Sequence, residues 1–204
     1  MPNRPVYLRK VVLLFAALIM ALGATPALGQ SEARVIQWSE HPQGSNNERS
    51  SPPLQLFKEL EDIELEEVQV EGRPVAIGMP VDATVDWLRN ISFRIKNVSR
   101  QPLAFVQITL TLPQLKTPIQ VPYVGCSSPN LNKPCVQPGG EVLLTMPGGV
   151  YDWVKGKASD QGVDFSGINR ATVTYVMVDL VGGAQQSSGC VKTSDVNNPC
   201  RYSP

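Results

Sequence analysis

The chain has 204 residues, of which 42% are hydrophobic and 18% are charged, and its 18 basic residues balance its 18 acidic ones. A chain of this size can bury a core of its own as one domain. Without a basic excess, the composition excludes nucleic acid and an anionic membrane as the expected partners.

The N-terminal residues 1–29 have the composition of a secretory signal peptide. Basic residues precede an apolar run from Val11 to Leu22, and small residues follow up to Gly29. The run is shorter than the roughly 20 residues of a membrane span, although an uncleaved anchor stays open as an alternative. Cleavage would leave 15 basic and 18 acidic residues, a net charge of −3. We therefore expect a secreted or periplasmic protein.

Residues 30–53 are rich in Ser, Asn, Gln, Glu and Pro. This composition predicts a flexible leader, because the segment buries too little apolar surface to offset the entropy lost on ordering. The leader holds the single histidine of the chain, His41. A secondary interpretation docks Val35, Ile36 and Trp38 as an extra edge strand.

The first strand of the folded region is acidic. Seven acidic residues lie between positions 59 and 71, among alternating apolar residues. The alternation breaks at Glu66-Glu67, which predicts a β-bulge. We expect Glu64 and Glu66 opposite Arg94 and Lys96 of a neighbouring strand, where each opposite-charge pair contributes roughly 0.2–1 kcal/mol. A patch for a cation or a basic partner is the alternative.

The segment from Trp87 to Pro113 shows the clearest period of two. Apolar and polar residues alternate over Ile91–Ile95 and again over Ile108–Leu112, and the residues between Asn97 and Pro102 are typical of a turn. This pattern predicts a β-hairpin with one apolar and one solvated face.

The later segments predict short strands and one helix. Ile119–Val124 and Val142–Met146 alternate, and Ala171–Val181 is β-branched and apolar on both faces, as in an interior strand. Helical spacing of apolar residues predicts one short helix from Gly149 to Ala158. The residues from Gly182 to Ser188 are expected to form a flexible turn.

The cysteines lie in two similar frames, CSSPNLNKPC and CVKTSDVNNPC. An even number of cysteines in an exported chain predicts disulfides, and the short frames favour the local pairs Cys126–Cys135 and Cys190–Cys200. A zinc ion held by the four thiolates is the alternative, but the short C-x2-4-C spacing typical of such sites is absent.

Residues 54–204 are therefore expected to form one mainly β domain with two Cys-closed loops. About seven or eight short strands with one short helix predict an antiparallel immunoglobulin-like β-sandwich. Both cysteine frames lie in loops, whereas an antibody-type domain has a disulfide between its sheets.

Several short sequence segments of the chain resemble those of a protein family. Trp87-Leu88 followed by ISFRIKNVSRQPLAFVQITLTLP, and then PGGEVLLTM, ATVTYVMVDLVGG and NNPCRY, resemble secreted β-sandwich proteins of Acidobacteria and related bacteria. The resemblance covers roughly residues 60–202. That family has no known activity, so the resemblance implies a fold and an exported location. Where the family often has an acidic-Gly-Thr-x-Trp run, this chain has Gly182-Gly183-Ala184.

The residues between 151 and 166 are the candidates for a binding site. Tyr151 and Trp153 could stack on a sugar ring while Asp152, Asp160 and Asp164 hold its hydroxyl groups, and the spaced oxygens of the last two could bind calcium weakly. The structural alternative packs Trp153 into the core, because aromatic residues at helical spacing usually mark a buried face.

The sequence favours a non-catalytic protein. A Ser-His-Asp or Cys-His site needs a base, and the one histidine lies in the leader. We expect an exported interaction or envelope-associated module that needs no metal or cofactor and binds another exported protein or a glycan. A carbohydrate- or calcium-binding module is the alternative, and a glycoside hydrolase with paired carboxylates is a more distant one.

Overall fold

A computed structural model describes residues 32–39, 60–127, 133–183, 185–188 and 191–194. The predicted signal peptide, His41 and the predicted Cys190–Cys200 pair lie outside these residues. Among the described residues, no helix is long and apolar enough to span a membrane.

The described chain is mainly β, with one α-helix and one short 3-10 turn at Phe165–Gly167. The elements are β1 (Glu32–Trp38), β2 (Leu60–Val70), β3 (Arg73–Pro74), β4 (Pro80–Ala83), β5 (Ile91–Asn97), β6 (Leu103–Thr111), β7 (Gln120–Ser127), β8 (Glu141–Thr145), α1 (Val150–Asp160), β9 (Arg170–Leu180), β10 (Gln185–Ser188) and β11 (Val191–Thr193). The predicted helix and the predicted strands around 119–124, 142–146 and 171–181 are thus confirmed.

The strands form one path in the order β11-β2-β5-β8-β7-β6-β9-β1-β4, with β3 beside β2 and β10 beside β9. We call β11, β3, β2, β5 and β8 the first half of the sheet and the remaining strands the second half. The two halves meet where Val124 of β7 pairs with Thr145 of β8. The expectation of an antiparallel sheet is wrong for two pairings, because β1 runs parallel to β9 and β11 runs parallel to β2. The sheet is mixed.

The predicted hairpin between the two alternating segments is also wrong. Both segments are strands, but β5 pairs with β2 and β8, whereas β6 pairs with β7 and β9. The buried Asn97 side chain explains the redirection: its amide donates to the carbonyl oxygens of Gln101 and Val136, and its own oxygen accepts from Ser99. These hydrogen bonds form a local loop at the end of β5, so β6 does not fold back onto β5. The edge of β5 that a hairpin would have used pairs with β8 instead.

Two segments predicted to be flexible contain strands. The predicted leader includes β1, which lies between β9 and β4 with Ile36 and Trp38 in the core. The predicted turn at 182–188 includes β10, which pairs with residues 176–179 of β9. Hydrogen bonds to a partner strand supply in both cases what the local composition lacks.

The acidic strand follows the prediction in part, because Arg94 lies opposite Glu67 and not opposite Glu64 or Glu66. The register of β2 shifts between Leu65 and Glu67, which confirms the bulge. Lys96 Nζ lies 3.3 Å from Glu66 Oε1, and Arg94 Nε lies 3.3 Å from Glu67 Oε2, so ion pairs with β5 hold the two residues of the bulge. Glu64 is in register with Lys96 and also approaches Lys192 of β11 at 3.8 Å.

A single hydrophobic core joins the inner faces of both halves. Phe93 of β5 and Tyr123 of β7 are fully buried and meet edge to face across it. Gly125 allows the close approach of the halves, because a Cβ there would lie 2.5 Å from the Leu144 side chain and 2.9 Å from the Leu143 carbonyl oxygen. Any side chain at this position would push β7 and β8 apart.

A disulfide joins Cys126 at the end of β7 to Cys135, with Cα atoms 5.9 Å apart. Its location matches the first predicted local pair. Cys126 is buried, and the backbone N–H of Cys135 donates to the carbonyl of Leu103. The disulfide and this hydrogen bond together therefore connect the end of β7, through Cys135, to the start of β6.

Candidate functional site

The predicted site centres on α1, and the helix begins and ends for local reasons. Gly149 precedes its first turn with a positive φ of 82°, a conformation that glycine adopts without strain. Tyr151, Val154 and Ala158 share one face and are buried. Past the C-terminus, the N–H of Val163 donates to the Ala158 carbonyl oxygen at 2.9 Å, which is a Schellman-type ending.

Tyr151 attaches the helix to the domain. Its hydroxyl donates to the Asp86 carboxylate, and its ring meets Phe165 edge to face at 5.4 Å between centroids. The cations of Arg89 and Lys155 lie 5.8 and 5.5 Å from its ring centroid. Burial, and then the bond to Asp86, raises the pKa of Tyr151 well above its ordinary value near 10. These contacts occupy the ring that was expected to stack on a sugar.

Trp153 points the other way. The expectation of a core position is wrong, because its side chain is 45% exposed. At about 100° per residue, Trp153 shares the solvent face of α1 with Gly156, Lys157 and Asp160. Gly156 leaves bare backbone beside the indole, since nothing lies within 4 Å of where its Cβ would be. The outer face of α1 is therefore a flat aromatic surface edged by charge.

The three predicted carboxylates have separate local roles. Asp160 Oδ2 lies 3.7 Å from Lys157 Nζ on the helix, and Asp152 is exposed in its first turn. Asp164 Oδ1 accepts from the Ser166 N–H at 3.0 Å and caps the 3-10 turn. Hydrogen bonds from Ser166, side chain first and backbone second, lower the pKa of Asp164. Within the described ranges, no group of three or more His, Cys, Asp or Glu side chains could hold a metal ion.

A pocket of about 370 Å³ opens elsewhere, at the bulge of β2. It is lined by Leu65 to Val68, by the segment from Pro74 to Ile77 and by Thr193 and Ser194. None of the residues predicted for the site lines it. The charged ends of Glu66 and Glu67 in its lining are engaged by Lys96 and Arg94.

Sequence reasoning missed the residues that hold α1 in place. Asp86 and Phe165 contact Tyr151, but they lie in irregular segments where no periodicity marks them. The available signal was the spacing of Tyr151, Val154 and Ala158, which selects one buried face and leaves Trp153 outside it.

Comparisons with protein-family models, curated proteins and solved structures found no match to this chain. The resemblance to secreted bacterial β-sandwich proteins therefore stays a prediction, and the function must be argued from the site itself.

Proposed function

We propose that this chain is an exported, non-catalytic β-sandwich protein that acts as an interaction or envelope-associated module. Its contact surface is the outer face of α1, and its anchor is Trp153. The observation behind the proposal is the 45% exposure of this indole on a helix whose other face is packed. Tryptophan is enriched at binding sites because it offers a large apolar ring with a polar N–H.

The proposal includes an immunoglobulin-like arrangement of the two halves. Its support is the distribution of strands: β2, β5 and β8 are neighbours in one half, and β7, β6, β9 and β10 are neighbours in the other. Among the described strands the chain changes half seven times, after β1, β3, β4, β5, β7, β8 and β10, and connections between sheets are typical of Greek-key sandwiches. One core between the inner faces suits two packed layers.

Export is the second part of the proposal. The basic residues, apolar run and small residues of positions 1–29 support a cleaved signal peptide. The disulfide at Cys126–Cys135 suits an oxidising compartment. Secretion and periplasmic location are both compatible with these features.

A capture experiment tests the interaction module. The purified protein is immobilised and exposed to an envelope extract of the source cells, beside the variants Trp153→Ala and Leu143→Ala. Leu143 is a matched control, because it is an apolar side chain of similar exposure, 47%, on β8 and not on α1. We expect partners that the wild type and Leu143→Ala retain and Trp153→Ala loses. Capture that is unchanged in Trp153→Ala would contradict the proposal.

A carbohydrate-binding module is the second candidate, favoured by the flat indole beside the Lys157–Asp160 pair. Sugar rings stack on such indoles, and charged side chains bond their hydroxyl groups. Isothermal titration with a glycan panel, with and without calcium, separates the candidates. A heat of binding that is present in the wild type and absent in Trp153→Ala would support the carbohydrate-binding candidate. No heat of binding with any glycan would exclude it.

A further inference from the structure

The outward-pointing side chains of β6 are uncharged. Side chains alternate between the faces of a strand, and Val106, Ile108 and Leu110 are buried in the core. The alternate residues of β6 therefore point outward from the second half of the sheet, although the small Thr109 side chain is only 2% exposed there. They are Phe105, Gln107, Thr109 and Thr111.

The neighbouring strands continue the same surface. In register with these residues lie Tyr175, Met177 and Asp179 of β9, and Pro122 and Val124 of β7. We call the outward-pointing residues of β6, β7 and β9 the neutral face. Its formally charged residues on β9 are Arg170 and Asp179, which lie near the two ends of the strand.

The outer face of the first half is different. There Glu66, Glu67, Arg94, Lys96 and Glu141 form ion pairs in solvent. A solvated face of this kind is the usual state of a sheet with one side in water. Depletion of charged residues together with Tyr, Phe and Met is instead the composition of an interface core.

The formal charges near the neutral face lie at opposite ends of β9. Arg170 begins the strand and is exposed, and it points outward because Ala171 is buried. Asp179 lies at the other end, 7% exposed, and its Oδ1 has no hydrogen-bond partner among the described residues. Tyr175 lies about midway between them, opposite Thr109.

We propose that the neutral face binds the same face of a second copy of this chain, about a two-fold axis that crosses the strands near Tyr175. A two-fold interface pairs each surface with itself, so an uncharged centre avoids repulsion. An axis across the strands reverses β9 of the second copy, which brings the Arg170 end of each copy over the Asp179 end of the other. The charges are then complementary.

The size of the face suits a dimer. β10 and β1 lie end to end beside β9, so the neutral face together with this flanking row is four strands wide. Four strands about 4.8 Å apart and about nine residues long give a footprint of roughly 600 Å². A footprint of this order corresponds to the low end of the roughly 600–1,000 Å² per partner that standard interfaces bury.

Sedimentation equilibrium of the purified protein tests the dimer. The variants Tyr175→Glu and Tyr175→Lys each place like charges across the proposed axis, and Gln107→Glu is a second disruptive variant should a Tyr175 variant unfold. We expect a wild-type dimer at micromolar concentration and a dissociation constant raised at least tenfold in each variant. An equimolar mixture of Tyr175→Glu and Tyr175→Lys is expected to recover the dimer mass, because the charges then attract.

Matched controls decide where the interface lies. Leu143→Glu and Leu143→Lys place the same charges on the outer face of the first half and are expected to leave the wild-type mass unchanged. A monomer at about 1 mM, or a dimer that Leu143 variants disrupt, would overturn the proposal. Failure of the mixed Tyr175 variants to associate would overturn the axis. Trp153→Ala is expected to keep the dimer mass, so this inference and the proposed function fail separately.

Discussion

Phe93 and Tyr123 meet edge to face with ring centroids 5.2 Å apart, and this contact joins the two halves of the sheet inside the core. The Tyr123 hydroxyl also donates to the carbonyl oxygen of Leu88, so one side chain supplies both apolar contact and a buried hydrogen bond. The Phe93–Tyr123 pair therefore adds a buried side-chain contact to the single register pair between β7 and β8.

Tyr123→Phe is expected to keep the ring contact and lose the hydrogen bond. The Leu88 carbonyl is then left buried without this donor, which costs about 1–3 kcal/mol of unfolding free energy. Urea unfolding measures the loss. Tyr175→Phe on the outer face is the control, with an expected change of less than about 0.5 kcal/mol. Equal effects in the two variants would contradict the role of the buried bond.

Alkaline pH is expected to destabilise the protein. Burial raises the pKa of both Tyr123 and Tyr151 above the value near 10 of an unfolded chain. The folded chain keeps these protons while the unfolded chain loses them, so the free energy of unfolding is constant below about pH 9 and falls above about pH 10. The slope is at most about 1.4 kcal/mol per pH unit for each tyrosine. Urea unfolding between pH 8 and 11 measures it, and the double variant Tyr123→Phe/Tyr151→Phe should lose the slope.

Asn97→Asp is expected to destabilise the fold by at least about 2–3 kcal/mol at pH 7. The substitution is nearly isosteric, but it replaces the amide that donates to the Gln101 and Val136 carbonyl oxygens by a buried carboxylate. Ser99→Ala is the matched control, because it removes one partially exposed hydroxyl and should cost less than about 1 kcal/mol. Thermal unfolding compares the two variants, and an effect in Asn97→Asp no larger than in Ser99→Ala would rule out a central role for Asn97.

Reduction of Cys126–Cys135 is expected to lower the unfolding free energy by roughly 2–3 kcal/mol, the loop-closure entropy of about ten residues. Non-reducing peptide mapping should find this link and, as the sequence predicts, a Cys190–Cys200 link. The variant Cys190→Ser/Cys200→Ser is expected to keep the first link. A peptide joining Cys126 to Cys190 or Cys200 would show that the pairing is wrong.

Arg94→Ala is expected to have a small effect despite its two ion pairs. Arg94 reaches Glu67 at 3.3 Å and Glu141 at 3.5 Å, but all three side chains are partly exposed. Exposed pairs contribute about 0–1 kcal/mol, and salt screens them. Unfolding in 0.05 M and 1 M salt should show the cost of the substitution shrinking with salt. A loss above about 2 kcal/mol in both conditions would mean that Arg94 is a packing residue.

The positions of most strands could be predicted from the sequence, but their partners could not. The alternation in β5 and β6 marks two strands with one buried face each, and it says nothing of which edges meet. Asn97 decides that question through hydrogen bonds to residues far along the chain, such as Val136. Strand β10 has no apolar residue to mark it, and its pairing with β9 is a tertiary effect.

The sequence predicts that the candidate site lies around α1, but it does not predict which side chains of α1 are buried and which are exposed. The spacing around α1 could be satisfied with Trp153 on the buried stripe or outside it, because a helix can bury residues at both i+3 and i+4. Val154 shares a face with Tyr151 and Ala158, so it is the buried one and Trp153 is exposed. The sequence shows that the outward residues Gln107, Thr109 and Thr111 are uncharged. Only the register with β9 shows that they continue into one surface with residues of that strand.

The parallel pairing of β1 with β9 has a consequence for the order of folding. Gln37 bonds to Thr172 across 135 positions of sequence, so β1 has no partner strand in β9 until nearly the whole chain has been synthesised. Contacts this distant slow the search for the native state. A chain that emerges N-terminus first can pair β1 with β4 early, but the other edge of β1 has no strand beside it until residues 170–173 have been synthesised.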